Sequence, residues 1–390
     1  MGAKAAAEQD TPSWLCRHWR WPAGAALAIV LLAAAGGVIA WHFSSAVVVP
    51  DRSDIPADVE IQSLSPGRVV LSRSEDTLRP GTYGLDWQGG HAILGERVAV
   101  ADDSVTRRLR DVRGYLVPGM KVAIDSEVYA GDPRQALGLP FAGVPVPDEL
   151  GSMPAWLVPG RSHTWAIVVH GINSDRETGL RIVPTLHRAG LPTLLISYRE
   201  DLGAPSSPDG LHHMGLTEWL DLQAAARYAL AHGARHLVLV GYSMGGAIVA
   251  QFMERSPLAD RVIGLLLDAP VLDWRRTLAF HATEMGLPSF AALPVEWAVG
   301  ERIDADWGSL DALAHAGDFH LPILLFHGTE DDVVPISTSD DFAAELPRWV
   351  TYHRVPRANH VESWNVDPRL YDARLTAFLR RIDVPAGKQK

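Results

Sequence analysis

The chain has 390 residues, of which 47% are hydrophobic and 21% are charged, so it can bury a real core and is long enough for two compact domains. Its net charge of −11, without a cluster of basic residues, argues against a nucleic-acid partner. A single cysteine, Cys16, excludes an intrachain disulfide and a cysteine-based metal site. Arginine far outnumbers lysine, which is typical of proteins from GC-rich bacterial genomes.

An uncharged apolar segment lies near the N-terminus, between Trp21 and Trp41. As a helix, the 19 residues between these tryptophans would be about 28 Å long, close to the roughly 30 Å hydrocarbon core of a bilayer. Tryptophans at both ends suit the two membrane interfaces. The pattern therefore predicts a single transmembrane helix over residues 21–43.

The basic residues beside this segment predict its orientation. Lys4, Arg17 and Arg20 precede it, and Arg52 is the one basic residue in the twenty that follow. The positive-inside rule predicts a cytoplasmic tail at 1–20 and an extracytoplasmic remainder, and hence a cell-membrane localisation. A cleaved signal peptide, whose apolar region is usually shorter, and a buried helix of a soluble protein are the alternatives. Cys16 is either a palmitoylation site or a bystander.

The next part of the chain has the features of a linker and a small β-rich domain. Residues 44–60 are polar and acidic, and residues 61–135 contain short β-type runs separated by Pro-Gly and Gly-Gly turns. The predicted strands are Arg68–Leu71, Tyr83–Trp87, Arg97–Val100, Val122–Ile124 and Glu127–Tyr129. No motif in this region carries chemistry, so its role is left open.

Residues 136–390 form the predicted main domain, in which strands alternate with amphipathic stretches. The strands are near-continuous apolar runs, as expected for parallel strands covered on both faces. This alternation predicts a doubly wound, mostly parallel α/β sheet, whose sites lie at the carboxyl ends of the strands. The predicted strands are Met153–Val158, Trp165–His170, Thr193–Tyr198, His236–Gly241, Val262–Leu267, Ile323–His327 and Trp349–Arg354.

Gly241-Tyr242-Ser243-Met244-Gly245 is the first motif that carries chemistry. It follows a predicted strand and opens a predicted helix, which is the context that a G-x-S-x-G nucleophile elbow requires. A serine that merely caps a helix after a Gly-rich turn is the structural alternative. We expect Ser243 to be a nucleophile.

A serine nucleophile needs a base, and the base needs an orienting acid, in the chain order Ser, acid, His for this type of fold. Asp331 lies in the loop after the strand Ile323–His327, and His360 lies in the loop one strand further on. Both could instead be ordinary loop residues. Asp268, at the end of the strand Val262–Leu267, is a rival acid that we expect to be structural.

The oxyanion of an acyl-transfer intermediate needs backbone N–H donors. We expect one donor from Met244, directly after the nucleophile, and one from Ile172 in the loop His170-Gly171-Ile172-Asn173. His170 is expected to shape that loop. The pair His212-His213 lacks a third ligand at suitable spacing, so we expect no metal site there.

These motifs resemble the α/β-hydrolase superfamily over residues 144–382, especially its esterase, monoacylglycerol-lipase and serine-aminopeptidase-like branch. The matching motifs are VVHGIN at 168–173, GYSMGG at 241–246, HGTEDDVVP at 327–335 and ANHVES at 358–363. The resemblance implies hydrolysis of an ester, thioester or amide through an acyl-enzyme, without a cofactor. Many relatives have Gly before the catalytic His where this chain has Asn359, a departure that we expect to be harmless.

Residues 271–320 separate two core strands and predict a short helical cap. Its apolar side chains either line an acyl pocket or pack the cap onto the core: Trp274, Phe280, Met285, Phe290 and Trp297. We expect a small-molecule or lipid-like acyl substrate, and the sequence indicates no protein partner. A peptidase that grips a substrate amine with Glu284, Glu296 or Glu301 is the alternative enzyme. A catalytically silent, membrane-anchored binding module is the alternative from another class.

Overall fold

A computed structural model describes residues 20–53 and 55–382 of the chain. The described chain forms a long N-terminal helix, a small β-barrel and an eight-stranded sheet flanked by helices. Residues 1–19, with Cys16 and nearly all of the predicted cytoplasmic tail, lie outside the described residues.

Helix α1 (Arg20–Val48) contains the segment that was predicted to cross a membrane. Among the residues that the structure describes, no helix combines the length and hydropathy needed for a membrane span, so the predicted transmembrane helix is not supported. The C-terminal half of α1 packs instead against the main domain, where Ala40, Ser44 and Val48 are buried. The helix also extends into residues 44–48, which were predicted to belong to the linker.

The β-rich region folds into a closed six-stranded barrel with the strand order β1-β2-β5-β4-β3-β6. Strands β1 and β5 were not predicted, and Glu127–Tyr129 is not a strand. The strands are β1 (Val59–Ser65), β2 (Arg68–Ser72), β3 (Tyr83–Trp87), β4 (Gly90–Val100), β5 (Ser104–Arg113) and β6 (Lys121–Asp125).

Strand β5 of this barrel carries a buried arginine, Arg107. The Arg107 guanidinium donates hydrogen bonds to the carbonyls of Gly95 (2.8 Å), Arg79 (3.1 Å) and Gly81 (2.6 Å). Burial lowers the pKa of Arg107 to about 10, so the side chain stays charged at neutral pH. The hydrogen bonds to Arg79 and Gly81 therefore hold the segment between β2 and β3 against β5.

The main domain is a sheet with the strand order β14-β13-β12-β11-β9-β10-β8-β7, in which β8 is antiparallel to both of its neighbours and the other neighbouring pairs are parallel. This agrees with the predicted mostly parallel sheet, although β7 was not predicted. The strands are β7 (Ala142–Pro147), β8 (Ser152–Val158), β9 (Thr164–Val169), β10 (Thr193–Ile196), β11 (His236–Tyr242), β12 (Val262–Asp268), β13 (Ile323–Gly328) and β14 (Val350–Val355).

Helices cover both faces of this sheet, and two of them, α7 and α8, form the cap between β12 and β13. The described α-helices that follow α1 are α2 (Glu75–Leu78), α3 (Pro133–Leu137), α4 (Val183–Arg188), α5 (Trp219–Ala231), α6 (Met244–Arg255), α7 (Trp274–Glu284), α8 (Leu293–Ile303), α9 (Ile336–Glu345), α10 (Ser363–Val366) and α11 (Pro368–Arg381).

Alternate residues of the central strands enter two separate cores. In β9, Trp165, Ile167 and Val169 join the core on one face, whereas Ala166 and Val168 join the core on the other. This is the period of two that an extended strand imposes, and it explains why the strand is apolar throughout. A sheet buried on both faces gives its strand ends fixed positions.

Candidate active site

Ser243 lies in a strained turn between β11 and α6. Its backbone has φ 52° and ψ −119°, a conformation that a residue with a side chain rarely adopts. The Ser243 amide donates to the Asp268 carbonyl at 3.1 Å, and the Ser243 carbonyl accepts from the Val271 amide at 3.0 Å. Contacts on both sides therefore hold the turn, as expected for a nucleophile elbow.

The glycines of the elbow are required by close backbone approach. A Cβ atom on Gly241 would lie 2.6 Å from the Gly245 carbonyl oxygen, and one on Gly245 would lie 2.4 Å from that of Val169. A Cβ on Gly246 would lie 2.4 Å from Pro270 Cβ. Helix α6 can thus pack directly on the strand ends, which brings its N-terminal backbone amides close to Ser243.

The structure brings together the three side chains that the sequence placed in separate loops. His360 Nε2 lies 2.8 Å from Ser243 Oγ, and His360 Nδ1 lies 2.9 Å from Asp331 Oδ2. One imidazole nitrogen can therefore accept the serine proton while the other donates to the carboxylate. This is the geometry that a Ser-His-Asp triad requires.

Asp331 is buried, yet it remains ionised. Burial alone would raise the pKa of this carboxyl, but the charges and hydrogen bonds of His360 and His327 outweigh burial and hold the pKa well below its usual range. The Asp331 carboxylate also accepts from the backbone amides of Val333 and Val334 at 2.9 and 2.8 Å. The Asp331 carboxylate is therefore a fixed, charged hydrogen-bond acceptor that faces His360.

Asp332 faces away from the imidazole, as the alternation of neighbouring side chains predicts. Its carboxylate accepts from the Asn359 side-chain amide at 3.1 Å, and the Asp332 backbone N–H donates to Asn359 Oδ1 at the same distance. The same Asn359 oxygen accepts from the His360 amide. Asn359 therefore joins the acid loop to the histidine loop, a role that the sequence did not indicate.

Asp268, the rival acid, is engaged elsewhere. It accepts from Ser363 Oγ at 2.7 Å and is buried, and burial raises its pKa. Asp268 is thus bonded to the start of α10 in this structure, while Asp331 contacts the imidazole.

The two residues that are expected to supply the oxyanion donors both lie near the nucleophile. Met244 is the first residue of α6, and Ile172 borders the same cavity as Ser243. A Cβ on Gly171 would lie 3.0 Å from Ser243 Cβ, so the loop carrying Ile172 passes directly beside the serine. His170 shapes this loop as expected, because Nε2 lies 2.8 Å from Asp201 and Nδ1 lies 2.8 Å from the Gly171 carbonyl oxygen.

The barrel contacts the loop that carries His360. Glu362, two residues after the histidine, accepts from the Arg79 guanidinium at 2.8 Å and from the Tyr83 hydroxyl at 3.0 Å. A Cβ on Gly81 would lie only 2.0 Å from the Asn365 carbonyl oxygen, so the two backbones touch. These contacts join residues more than 270 positions apart and left no signal in the sequence.

A cavity of about 570 Å³ opens at Ser243 beneath the cap. Trp274 and Met285 border it, as one interpretation of the sequence predicted, although Met285 is also 56% exposed to solvent. Phe290 and Trp297 are exposed and are not among the lining residues. Most of the other cap and core side chains that border the cavity are apolar: Val271, Leu278, Ala282, Leu287, Val295, Val333 and Val334. No carboxylate is among the described residues that line it, and His281 is the one ionisable side chain there.

Comparison with known proteins gives two family matches. Residues 207–382 match the prolyl oligopeptidase family, and residues 60–125, within the barrel, match a domain of unknown function (DUF8805). An uncharacterised protein of Mycobacterium tuberculosis H37Rv is 26% identical over 269 residues, which cover 62% of this chain and 83% of that protein.

Two crystal forms of an esterase from Pyrococcus furiosus are similar in structure. They superpose with TM-scores of 0.54 and 0.52 at 20% and 19% identity, over 65% of this chain and 95% or 97% of theirs. The fold is therefore that of the α/β-hydrolases, which confirms the resemblance seen in the motifs. The match to the prolyl oligopeptidase family supports a serine hydrolase of this type.

Exchanging each of the adjacent aspartates for asparagine should separate their roles. Asp331→Asn places an amide against His360 Nδ1 and favours the wrong tautomer, so we expect turnover to fall on the order of 10³-fold or more. Asp332→Asn keeps an acceptor for Asn359 and should stay within about tenfold of the wild type. Turnover of one ester by both variants, with folding checked by thermal melting, measures this. A greater loss of turnover in Asp332→Asn than in Asp331→Asn would identify Asp332 as the acid that orients His360.

Removing Arg79 tests whether the barrel positions the histidine loop. Arg79→Met leaves the buried Glu362 carboxylate without its cation, so we expect kcat to fall about tenfold with KM within about twofold. Arg79→Lys should restore part of kcat. Asp76→Asn, which breaks only the exposed ion pair on the outer side of Arg79, is the matched control. A rise in KM at constant kcat would show that the contact serves substrate binding instead.

Proposed function

We propose that the protein is a serine esterase that hydrolyses acyl esters of apolar, lipid-like acids. Ser243 Oγ attacks the acyl carbonyl while His360 Nε2 takes the serine proton, and the Met244 and Ile172 amides stabilise the oxyanion. His360 returns that proton to the leaving alcohol as the ester C–O bond breaks, which leaves an acyl-Ser243 ester. His360 then takes a proton from a water molecule as the water attacks this ester, and it returns the proton to Ser243 Oγ as the acid and the free serine are released.

The observation that carries this proposal is the apolar cavity that opens at Ser243. An acyl chain bound there would be removed from water by aliphatic and aromatic side chains, which favours binding in proportion to the apolar area buried. Asp331 keeps its charge in the buried site, so it can stabilise the imidazolium that forms when His360 accepts the proton.

Peptidase activity is the second candidate, because residues 207–382 match the prolyl oligopeptidase family. An aminopeptidase would need a carboxylate near the scissile bond to hold the substrate amine. Glu284 and Glu301 are exposed, and Glu296 pairs with Arg275. The lining of the described cavity therefore favours an uncharged acyl group over an amino acid.

Replacing the nucleophile separates an enzyme from a silent binding module. Wild-type protein should be labelled covalently by a fluorophosphonate probe, because the probe reacts with an activated serine and leaves a stable phosphonyl ester. Ser243→Ala should not be labelled and should melt at the same temperature within a few degrees. Continued labelling of the folded variant would place the nucleophile at another residue, and an unlabelled wild type would favour the silent module.

Comparing substrate classes distinguishes an esterase from a peptidase. We expect kcat/KM for p-nitrophenyl acyl esters to exceed that for aminoacyl p-nitroanilides by at least about a hundredfold, because the cavity offers an amine no counter-charge. Both leaving groups are followed by absorbance with the same enzyme preparation. Faster cleavage of the aminoacyl amides would overturn the esterase proposal in favour of the peptidase.

A further inference from the structure

We propose that helix α1 forms one wall of the acyl-binding cavity and makes the enzyme selective for long acyl chains. The proposal deepens the esterase function and rests on it. It assigns a binding role to a segment whose sequence predicted a membrane anchor.

One face of α1 borders the same cavity as Ser243. The residues recur at intervals of three and four positions, which is the spacing of a single helical face. They are all small or apolar: Gly36, Ile39, Ala40, Phe43, Ala46 and Val47. The lining also includes cap residues such as Leu278 and Val295, so the cavity lies between α1 and the cap.

The length of this wall is what suits a long chain. The eleven-residue step from Gly36 to Val47 rises about 16 Å along the helix axis. An acetyl group bound at Ser243 would leave most of this surface uncovered. A longer saturated chain would cover more of it, and each additional buried methylene improves binding about fourfold.

Polar contacts fix the C-terminal half of α1 in this position. The Arg302 guanidinium, from α8, donates to Ser44 Oγ at 2.9 Å and to Ser45 Oγ at 2.8 Å, and it lies 4.9 Å from the centre of the Trp41 ring. At the end of the helix, the Val48 carbonyl accepts from the His212 amide at 2.8 Å. The wall is therefore held by groups outside the cavity.

The chain after α1 is also bonded to the loop beside the nucleophile. The Asp51 amide donates to Asn173 Oδ1 at 2.8 Å, directly after Ile172. Arg52 donates to the Glu200 carbonyl at 3.1 Å. Helix α1 and the residues that follow it are thus bonded to the main domain at two places, the cap and the loop that carries Ile172. Both contacts would hold α1 in a fixed position beside the cavity.

Two adjacent glycines provide a matched test. Among the described residues, no atom lies within 4 Å of a Cβ added at Gly36 or at Gly37, so both positions accept a side chain there, and of the two glycines it is Gly36 that borders the cavity. Gly36→Phe should place a ring against the path of a long chain. We expect it to lower the ratio of kcat/KM for p-nitrophenyl decanoate to that for the butyrate about tenfold, whereas Gly37→Phe should keep that ratio within twofold.

The second variant weakens the attachment of α1 to the cap through a residue that does not line the cavity. Arg302→Ala removes the contacts to Ser44, Ser45 and Trp41 without altering the cavity lining, and it should lower the decanoate-to-butyrate ratio in the same direction. All measurements use the full chain, with helix content and melting temperature as controls for folding. A ratio that is unchanged in folded Gly36→Phe, or that falls equally in Gly37→Phe, overturns the proposal.

Alkyl fluorophosphonates separate this result from failure of the esterase proposal. If the wild type cleaves no ester but Ser243 is labelled, the rates of labelling by a decyl and an ethyl fluorophosphonate test the wall without any substrate. Faster labelling by the decyl probe that is lost in Gly36→Phe and kept in Gly37→Phe would support the role of α1 even if the esterase proposal fails. Equal rates for the two probes would overturn it, and absence of labelling would overturn both proposals.

Discussion

The candidate site depends on the backbone of Ser243, which is held at φ 52° in a turn that an unstrained chain would not adopt. That conformation persists because the sheet is buried on both faces and because the glycines of the elbow let α6 contact the strand ends. It directs the serine side chain out of the sheet towards the loops after β13 and β14. The geometry of the candidate site is therefore a consequence of close packing between one strand and one helix.

The buried carboxyl groups near that turn differ in the direction in which their pKa values are shifted. Asp331 keeps its negative charge although it is buried, because two histidines and two backbone amides face it. Burial raises the pKa of Asp268, and the same effect raises that of Glu362. The acid that contacts His360 is thus also the one whose surroundings favour the ionised form.

Local patterns predicted the parts of the fold that local chemistry determines. The apolar strands, the elbow around Ser243 and the loops carrying Asp331 and His360 were all read from short motifs, because each motif requires particular residues at fixed spacing. The barrel strands β1 and β5 have mixed polar sequences and were missed. The contacts of Glu362 with Arg79 and Tyr83 join distant parts of the chain, and no short pattern records such a pairing.

Helix α1 shows why hydropathy alone could not assign a role. An apolar helix face is equally suited to lipid, to a protein core or to a bound acyl chain, and the sequence does not distinguish these neighbours. The structure identifies the neighbour of the C-terminal half of α1, which is the cap with Arg302. The barrel contacts a different part of the main domain, the loop that carries His360. Two segments that precede the α/β sheet in the chain thus contact different parts of the candidate site, the barrel at the loop that carries His360 and α1 at the cavity beside Ser243.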